Sequence, residues 1–307
     1  MNKKTDHIFR GAATALVTPF KNGSVNYDEF GKLIEFQIGG GIDALVVCAT
    51  TGESPTLDDR EHRRMIEYAV KAVGGRVPLI AGTGSNNTAH AIEMSRAAQY
   101  SGADAILCVT PYYNRATEDG LIRSFTAIAD AVEIPMILYN VPSRTTVSVS
   151  ATVYRALADH PNIRAVKEAS GDVGAMAQLY AECGGRLDIY SGNDDMTVPA
   201  MSVGALGTIS VLSNIMPTAV SQMCRAWFAG DTAEAARLQI KYLPLIRALF
   251  SEVNPIPVKT ALAEMGFDTA EMRLPLCDMS AANRAVLVAE MARVGLGHSP
   301  LSASTDL

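Results

Sequence analysis

The sequence predicts a (β/α)8 barrel followed by a C-terminal helical extension. Eight short apolar runs succeed one another within residues 1–213, and stretches with helical punctuation separate them. Each run is too short for a helix, and several are rich in Val, Ile and Leu on both faces, as buried parallel strands are. Successive runs begin 20 to 34 residues apart, which leaves room for a crossover helix in every interval. Eight such units are the number that closes a barrel.

The predicted strands define residues 1–213 as the barrel core. In chain order they are Ala12–Val17, Asp43–Cys48, Val77–Ala81, Asp104–Val109, Pro135–Tyr139, Ile163–Lys167, Leu187–Ser191 and Gly207–Leu212. The competing architecture is an open, doubly wound sheet, which usually has fewer strands and a glycine-rich turn after the first strand. Gly11 is followed by Ala-Ala-Thr and supplies no such turn, so the barrel is favoured.

Capping residues mark the predicted helix boundaries. Asn26 and Thr56 each have an acidic residue three positions further on, which is the spacing of a capping box. The second signal predicts a helix over Arg60–Val73. That helix should end at Gly74, because glycine readily adopts the left-handed conformation that terminates helices.

After the last strand the sequence predicts helices only. They are Pro217–Ala229, a segment from Asp231 to Phe250 that is kinked at Pro244, and Ala281–Val294 after the capping residue Ser280. We therefore expect a helical extension over residues 214–296. Residues 297–307 lack periodicity, and we expect them to form a flexible tail.

Composition excludes several classes of protein. The 307 residues carry a formal charge of −6, which argues against a nucleic-acid partner, since such a protein needs a basic surface. The sequence contains no run near the roughly 18 apolar residues of a membrane span, and its first apolar stretch is interpreted as a strand rather than a signal peptide. The five cysteines are odd in number and widely spaced, as is typical of reduced thiols in the cytoplasm.

The sequence also indicates an enzyme that uses neither a metal nor a cofactor. Its five histidines lack metal-ligand spacing. A Walker loop is missing, and Gly82-Thr83-Gly84 is an incomplete dinucleotide-binding motif. We therefore expect a cytoplasmic enzyme with a small-molecule substrate and no membrane partner.

Polar residues follow the predicted strands, at the end of the barrel where such enzymes place their active sites. Lys167 ends the sixth strand, where its side chain would face the barrel mouth. Burial and a nearby cation such as Arg144 would favour the neutral amine, a nucleophile that forms a Schiff base with a ketone. An ion pair with Glu168, or with another carboxylate at the rim, is the other interpretation of this lysine.

Two tyrosines also stand at strand ends. The phenols of Tyr139 and Tyr113 could pass protons through a neighbouring hydroxyl such as that of Thr50 or Thr51. Each tyrosine could equally be a packing residue with a solvated hydroxyl. Arg144 follows a proline turn, and its guanidinium could bind a substrate carboxylate or remain a solvated surface group.

Six motifs together resemble the dihydrodipicolinate synthase family, in family order and spacing, from about Gly11 to Met265. They are Thr50-Thr51-Gly52-Glu53, Pro111-Tyr112-Tyr113-Asn114, Tyr139-Asn140-Val141-Pro142-Ser143-Arg144, Lys167-Glu168, Ser191-Gly192 and Asn254-Pro255-Ile256-Pro257-Val258-Lys259. The resemblance implies a pyruvate-dependent class I aldolase, which condenses pyruvate with L-aspartate 4-semialdehyde to 4-hydroxy-tetrahydrodipicolinate. This reaction is the first committed step of the diaminopimelate and lysine pathway. The resemblance also implies a homotetramer built as a dimer of dimers, and it selects the nucleophile interpretation of Lys167.

The resemblance implies catalytic roles for four residues. Lys167 would form the Schiff base with pyruvate, and the resulting enamine would attack the aldehyde. Tyr139 would be the proton donor and acceptor, in a relay with Thr50 and Tyr113. Because Tyr113 would reach across a subunit interface to complete a neighbour's site, at least a dimer is required.

The resemblance also implies substrate-binding roles for five residues. Thr51 and the backbone at Ile209 would seat the pyruvate carboxylate. Arg144 would bind the carboxylate of the semialdehyde. Gly192 and Asn254 would line the site.

Related enzymes leave an alternative second substrate open. N-acetylneuraminate lyases and 2-keto-3-deoxy-sugar-acid aldolases share the lysine and the tyrosine, so an aldolase of this kind is the alternative function. Thr51 and Arg144 favour the synthase, because a sugar needs several hydroxyl partners rather than one cation for a carboxylate. An NAD-linked barrel oxidoreductase, or a barrel that only binds metabolites, is the hypothesis from another class.

Lysine-inhibited members of the family have an effector site at the dimer interface. Residues that keep its pattern here are Ser54, His62, Asn86 and Tyr112. Asp59 stands where a histidine is common, and His90 stands where a carboxylate would hold the effector's ammonium group. A partly cationic His90 would oppose that group. We therefore predict weak or absent inhibition by lysine.

Overall fold

The computed structural model describes residues 7–297 and confirms the barrel. The strands are β1 (Gly11–Ala15), β2 (Phe20–Lys21), β3 (Ser24–Val25), β4 (Ala44–Val47), β5 (Leu79–Gly82), β6 (Ala105–Val109), β7 (Met136–Asn140), β8 (Ile163–Glu168), β9 (Asp188–Ser191) and β10 (Gly207–Ser210). Eight of them close in the order β1-β10-β9-β8-β7-β6-β5-β4, and every pair in this barrel is parallel.

All eight predicted strands are present, and their bounds differ from the predicted ones by at most two residues. The structure also contains two strands that the sequence did not predict, β2 and β3, which form an antiparallel hairpin between β1 and the first helix. Two-residue strands are too short to show an alternating pattern, so this hairpin has no sequence signal of its own.

The barrel separates two apolar layers. Side chains that point inward form one buried cluster, which includes Ile137, Ala165 and Ile209, whereas side chains that point outward pack beneath the helices. Phe9 enters the inner cluster from the amino-terminal side and stacks on Tyr190, with ring centroids 4.0 Å apart. The barrel is therefore a packed core that is open to chemistry only at its carboxyl end.

Helices alternate with the barrel strands and then continue beyond the last one. They are α1 (Tyr27–Gly39), α2 (Asp59–Val73), α3 (Thr88–Ser101), α4 (Glu118–Asp130), α5 (Pro142–Thr145), α6 (Ala151–Leu157), α7 (Val173–Cys183), α8 (Thr197–Ser202), α9 (Pro217–Phe228), α10 (Thr232–Leu249), α11 (Ile256–Glu264) and α12 (Ala281–Arg293). Among the described residues, no helix is both long and apolar enough to cross a membrane.

One predicted cap is wrong and the others are confirmed. Thr56 does not cap α2, because it ends a short 3-10 turn and its hydroxyl donates to the Glu53 carbonyl. The cap is Asp58, which forms a reciprocal capping box with Glu61. Residues that cap as predicted are Asn26, Asp231 and Ser280, and Gly74 ends α2 in the left-handed conformation.

The C-terminal region is helical, as predicted. Pro244 lies inside α10, which is one helix from Thr232 to Leu249. The division between a barrel core of 1–213 and an extension of 214–296 stays a prediction. The predicted flexible tail, 297–307, lies outside the described residues except for Gly297.

Candidate active site

Strand register brings the predicted nucleophile and the predicted phenol together. Tyr139 on β7 and Lys167 on β8 are directly paired, and both point into the barrel because side chains alternate along a strand. The Lys167 Nζ lies 4.5 Å from the centre of the Tyr139 ring. Lys167 is 4% exposed and Tyr139 is 7% exposed, so the amine and the phenol share a site at the barrel mouth that is nearly closed to solvent.

Lys167 does not form the rim ion pair that was its other interpretation. Among residues 7–297, no carboxylate oxygen lies within 4.0 Å of its Nζ. Glu168 points to the opposite face of β8, where it accepts hydrogen bonds from Asn140 and Tyr154. The amine is therefore left available to an electrophile in the mouth.

Gly192 leaves the space that the lysine side chain needs. A Cβ at this position would lie 3.1 Å from the Lys167 Cε and 2.6 Å from the Ala169 Cβ. The Gly192 N–H donates to the Glu168 carbonyl at 2.7 Å, so the loop after β9 is held close to the end of β8. A side chain at this position would push against the amine.

The loop after β4 contributes two hydroxyls to the same region. Thr51 is buried, and its hydroxyl oxygen accepts a hydrogen bond from the Asn254 amide at 2.9 Å. Thr50 lines a cavity of about 420 Å³, to which Arg144 and Asn254 also contribute. Ile209 lies on β10 within the inner barrel cluster, next to β1.

Arg144 and Asn254 both line this cavity and are in contact with each other. Arg144 extends from α5, and its Nη2 donates to the backbone carbonyl of Asn254 at 3.2 Å. Since a guanidinium has five N–H donors, it keeps donors for a substrate carboxylate. The Asn254 Oδ1 is buried and has no hydrogen-bond partner among the described residues, so the site also offers an acceptor.

A buried ion pair, which the sequence reasoning missed, joins the loop after β4 to helix α11, which follows Asn254. Lys259 Nζ lies 2.6 Å from the Glu53 carboxylate and 2.6 Å from the Glu271 carbonyl, and the Lys259 and Glu53 side chains are at most 1% exposed. Burial lowers the pKa of Lys259, although the Glu53 charge opposes that shift. The sequence did contain a signal for this pair. The motif that begins at Thr50 ends in Glu53 and the motif that begins at Asn254 ends in Lys259, and neither charged residue has a predicted role in substrate binding.

Tyr113 stands apart from the other predicted residues. It is 91% exposed and its φ of +67° lies in the left-handed region. It is not among the residues that line the cavity with Thr50. Within one chain, therefore, the Tyr113 side chain lies in solvent, whereas Tyr139 is buried.

The predicted effector residues line the same cavity as Thr50 and Arg144, with the exception of Asn86. Those that line it are Ser54, Asp59, His62, His90 and Tyr112. His90 Nε2 lies 2.9 Å from an Asp59 carboxylate oxygen, so the two residues that depart from the family pattern are paired with each other. His62 bonds the Gly82 carbonyl at 2.8 Å, and burial lowers its pKa, which keeps the ring neutral near pH 7.

A buried lysine amine beside a tyrosine ring at the carboxyl end of a barrel can form a Schiff base with a carbonyl substrate. The fold and the site are those of a barrel enzyme equipped for such chemistry.

Comparison with known proteins narrows the class to one family. The model of the dihydrodipicolinate synthetase family matches residues 8–293. A 4-hydroxy-tetrahydrodipicolinate synthase of Geobacter sulfurreducens is 53% identical over 284 residues, which are 92% of this chain and 98% of that protein. One of Lachnoclostridium phytofermentans is 52% identical over 294 residues, which are 94% of this chain and 99% of that protein.

The fold agrees with these sequence relatives. The crystal structure of dihydrodipicolinate synthase from Aquifex aeolicus matches with a TM-score of 0.93 at 42% identity, and the match covers 94% of this chain and 99% of the other. The chain belongs to the dihydrodipicolinate synthase family and is a lyase.

Proposed function

We propose that this chain condenses pyruvate with L-aspartate 4-semialdehyde to give 4-hydroxy-tetrahydrodipicolinate, the first committed step of diaminopimelate and lysine biosynthesis. The observation that carries the proposal is the Lys167 amine, which is in register with Tyr139 and paired with no carboxylate of the described chain. The names of the relatives support this substrate pair rather than a sugar acid.

The chemistry begins at Lys167. Its amine attacks the keto carbon of pyruvate, and loss of water gives an iminium. Removal of a methyl proton converts the iminium into an enamine, whose carbon attacks the aldehyde of the second substrate. The amino group of that substrate then attacks the former keto carbon, which closes the ring and releases the lysine.

These steps require proton transfers, for which Tyr139 is the proposed donor and acceptor. Its phenol is held beside the amine by the strand pairing, and Thr50 lines the adjoining cavity. Tyr113 completes the proposed relay from a neighbouring subunit. Its high exposure within one chain supports that role, and it makes the active enzyme at least a dimer, with a homotetramer as the proposed assembly.

Each substrate carries a carboxylate, on anionic pyruvate and on the zwitterionic semialdehyde, whereas the chain carries a net charge of −6. Local groups must therefore bind the carboxylates. Arg144 is the proposed cation for the semialdehyde, and Thr51 with the Ile209 backbone is the proposed seat of the pyruvate carboxylate. The unpartnered Asn254 Oδ1 is suited to accept a hydrogen bond from the semialdehyde's ammonium group. Chemistry of this kind with soluble metabolites fits a cytoplasmic enzyme without metal or cofactor.

Borohydride reduction in the presence of pyruvate tests the proposal. We expect a stable mass increase, equal to one reduced pyruvate, on the peptide that contains Lys167, and no increase in a Lys167→Ala variant. Steady-state assays with the semialdehyde, N-acetylneuraminate and keto-deoxy-gluconate separate the synthase from a sugar-acid aldolase. An unlabelled Lys167, or turnover of the sugar acids alone, would refute the proposed function.

A further inference from the structure

Glu168 is a buried carboxylate directly behind the proposed nucleophile, and the proposed chemistry does not use it. It points to the outer face of β8, because side chains alternate along a strand, and it is 2% exposed. Burial of a charge is strongly unfavourable unless hydrogen-bond donors surround it. Its surroundings therefore indicate what the charge is for.

Three neutral groups donate to this carboxylate. The Asn140 amide reaches both oxygens, at 3.0 and 2.9 Å, the Ser170 N–H donates at 2.8 Å, and the Tyr154 hydroxyl donates at 3.2 Å. Burial, together with the Glu168 charge, raises the pKa of Tyr154 well above its usual value, so the phenol stays a donor. Because the described part of the chain places no cation within 4.0 Å of Glu168, these donors alone hold the charge.

The amide of Asn140 connects the two strands of the site. Asn140 is paired with Glu168 across β7 and β8, one position beyond the pair of Tyr139 and Lys167. The Asn140 Oδ1 accepts from the Val149 N–H at 3.2 Å, which turns the amide nitrogen toward the carboxylate. The outward pair and the inward pair are thus back to back on the same two strand ends.

We propose that Glu168 is a positioning residue, which holds β7 against β8 through Asn140 and so keeps the Tyr139 phenol aligned with the Lys167 amine. A shift of about 1 Å between reacting groups can lower a rate about 100-fold. Charge-assisted hydrogen bonds are shorter and stronger than neutral ones, so a carboxylate fixes this contact more firmly than an amide would. The inference rests on the proposed function, because alignment matters only if both groups act on one substrate.

The test exchanges the amide and the carboxylate. Glu168→Gln places a second amide against Asn140, and Asn140→Asp places two carboxylates in contact. The double variant restores one amide donor and one carboxylate acceptor, with the donor now at position 168 and the acceptor at position 140. We expect Glu168→Gln to lower kcat about 10- to 100-fold while both KM values stay within about twofold. The double variant should recover a large part of kcat, because the two changes are coupled.

Two further variants separate positioning from stability. Tyr154→Phe removes a donor to the same carboxylate from α6 rather than from β7, so it should lower Tm but leave kcat within about threefold. If Glu168→Gln does not fold, Glu168→Asp keeps the charge but withdraws it from Asn140, and it should lower kcat as well.

Three results would overturn the positioning role. The first is a Glu168→Gln variant with reduced Tm and unchanged kcat, and the second is a double variant no faster than Glu168→Gln. The third is a Glu168→Asp variant with normal kcat. Failure of the wild-type enzyme to be labelled at Lys167 would instead refute the proposed function, so the two failures are distinguishable.

Discussion

Removal of the buried lysine should weaken the fold and the site together. Lys259→Met leaves the Glu53 carboxylate buried without its cation. Among residues 7–297, the Arg273 N–H keeps a hydrogen bond of 3.5 Å to that carboxylate, and the charge of the Arg273 guanidinium still interacts with it. Breaking a buried pair by removing one partner costs about 3–5 kcal/mol. At about 2–4 °C per kcal/mol for a large domain, we expect Tm to fall by about 6–20 °C.

The assay compares thermal unfolding of three variants with the wild-type enzyme. Glu53→Gln combined with Lys259→Met removes both charges and should recover at least half of the lost stability, since the stranded charge is the main cost. Arg123→Met breaks an exposed pair with Asp119, and it should change the free energy of unfolding by less than about 0.5 kcal/mol. This variant is the matched control for loss of a cation.

Activity provides the second measurement. Lys259 lies on α11, which begins two residues after Asn254, and Asn254 donates to Thr51, so the Lys259→Met variant should also have a raised KM for pyruvate. The reasoning would be refuted by a Lys259→Met variant with a Tm within about 2 °C of wild type. It would also be refuted if the double variant were as unstable as the single one.

Three other substitutions and the addition of lysine test further residues of the site. Arg144→Met should raise KM for the semialdehyde about 10- to 100-fold, the value of a lost charge-assisted hydrogen bond, and an equal rise for pyruvate would contradict its assignment. Gly192→Ala should lower kcat about tenfold or more, because the added Cβ displaces the Lys167 side chain; unchanged kinetics would show that the loop yields freely. Lysine at sub-millimolar concentration should leave the coupled assay unchanged, because the Asp59 carboxylate that lines the cavity is already paired with His90, and clear inhibition would count against this prediction. Burial lowers the pKa of His62 in the folded state. Below about pH 6.5 the unfolded chain therefore binds a proton that the folded chain does not, and the free energy of unfolding decreases as the pH is lowered. His62→Gln should flatten that decline, as followed by Tm between pH 7 and pH 5.

The barrel, and the positions of Tyr139 and Lys167 at its strand ends, were readable from the sequence because their signals are local. An apolar run between turn residues is contained within a few positions, and the carboxyl ends of parallel strands must meet at one end of a barrel. Tyr139 and Lys167 end consecutive predicted strands, so their proximity follows from the fold class alone. The same logic explains why eight strands were found within two residues of their bounds.

Local signals mislead where neighbouring residues compete for one role. Thr56 has the spacing of a helix cap, but Asp58 takes that position once the preceding residues form a 3-10 turn. Tyr113 likewise adopts a left-handed backbone conformation, which has no reliable sequence signal for a residue other than glycine.

Only the tertiary structure decided which distant groups meet. Glu53 and Lys259 are 206 positions apart, and Thr51 and Asn254 are 203 apart, so neither pairing can be read from spacing. The outward direction of Glu168, which turns its carboxylate away from Lys167, follows from the pleat of β8 together with its burial beneath the helices. A sequence pattern records which residues are apolar or charged, whereas a hydrogen bond depends on angles and on distances near 3 Å, and closure of the whole barrel sets those.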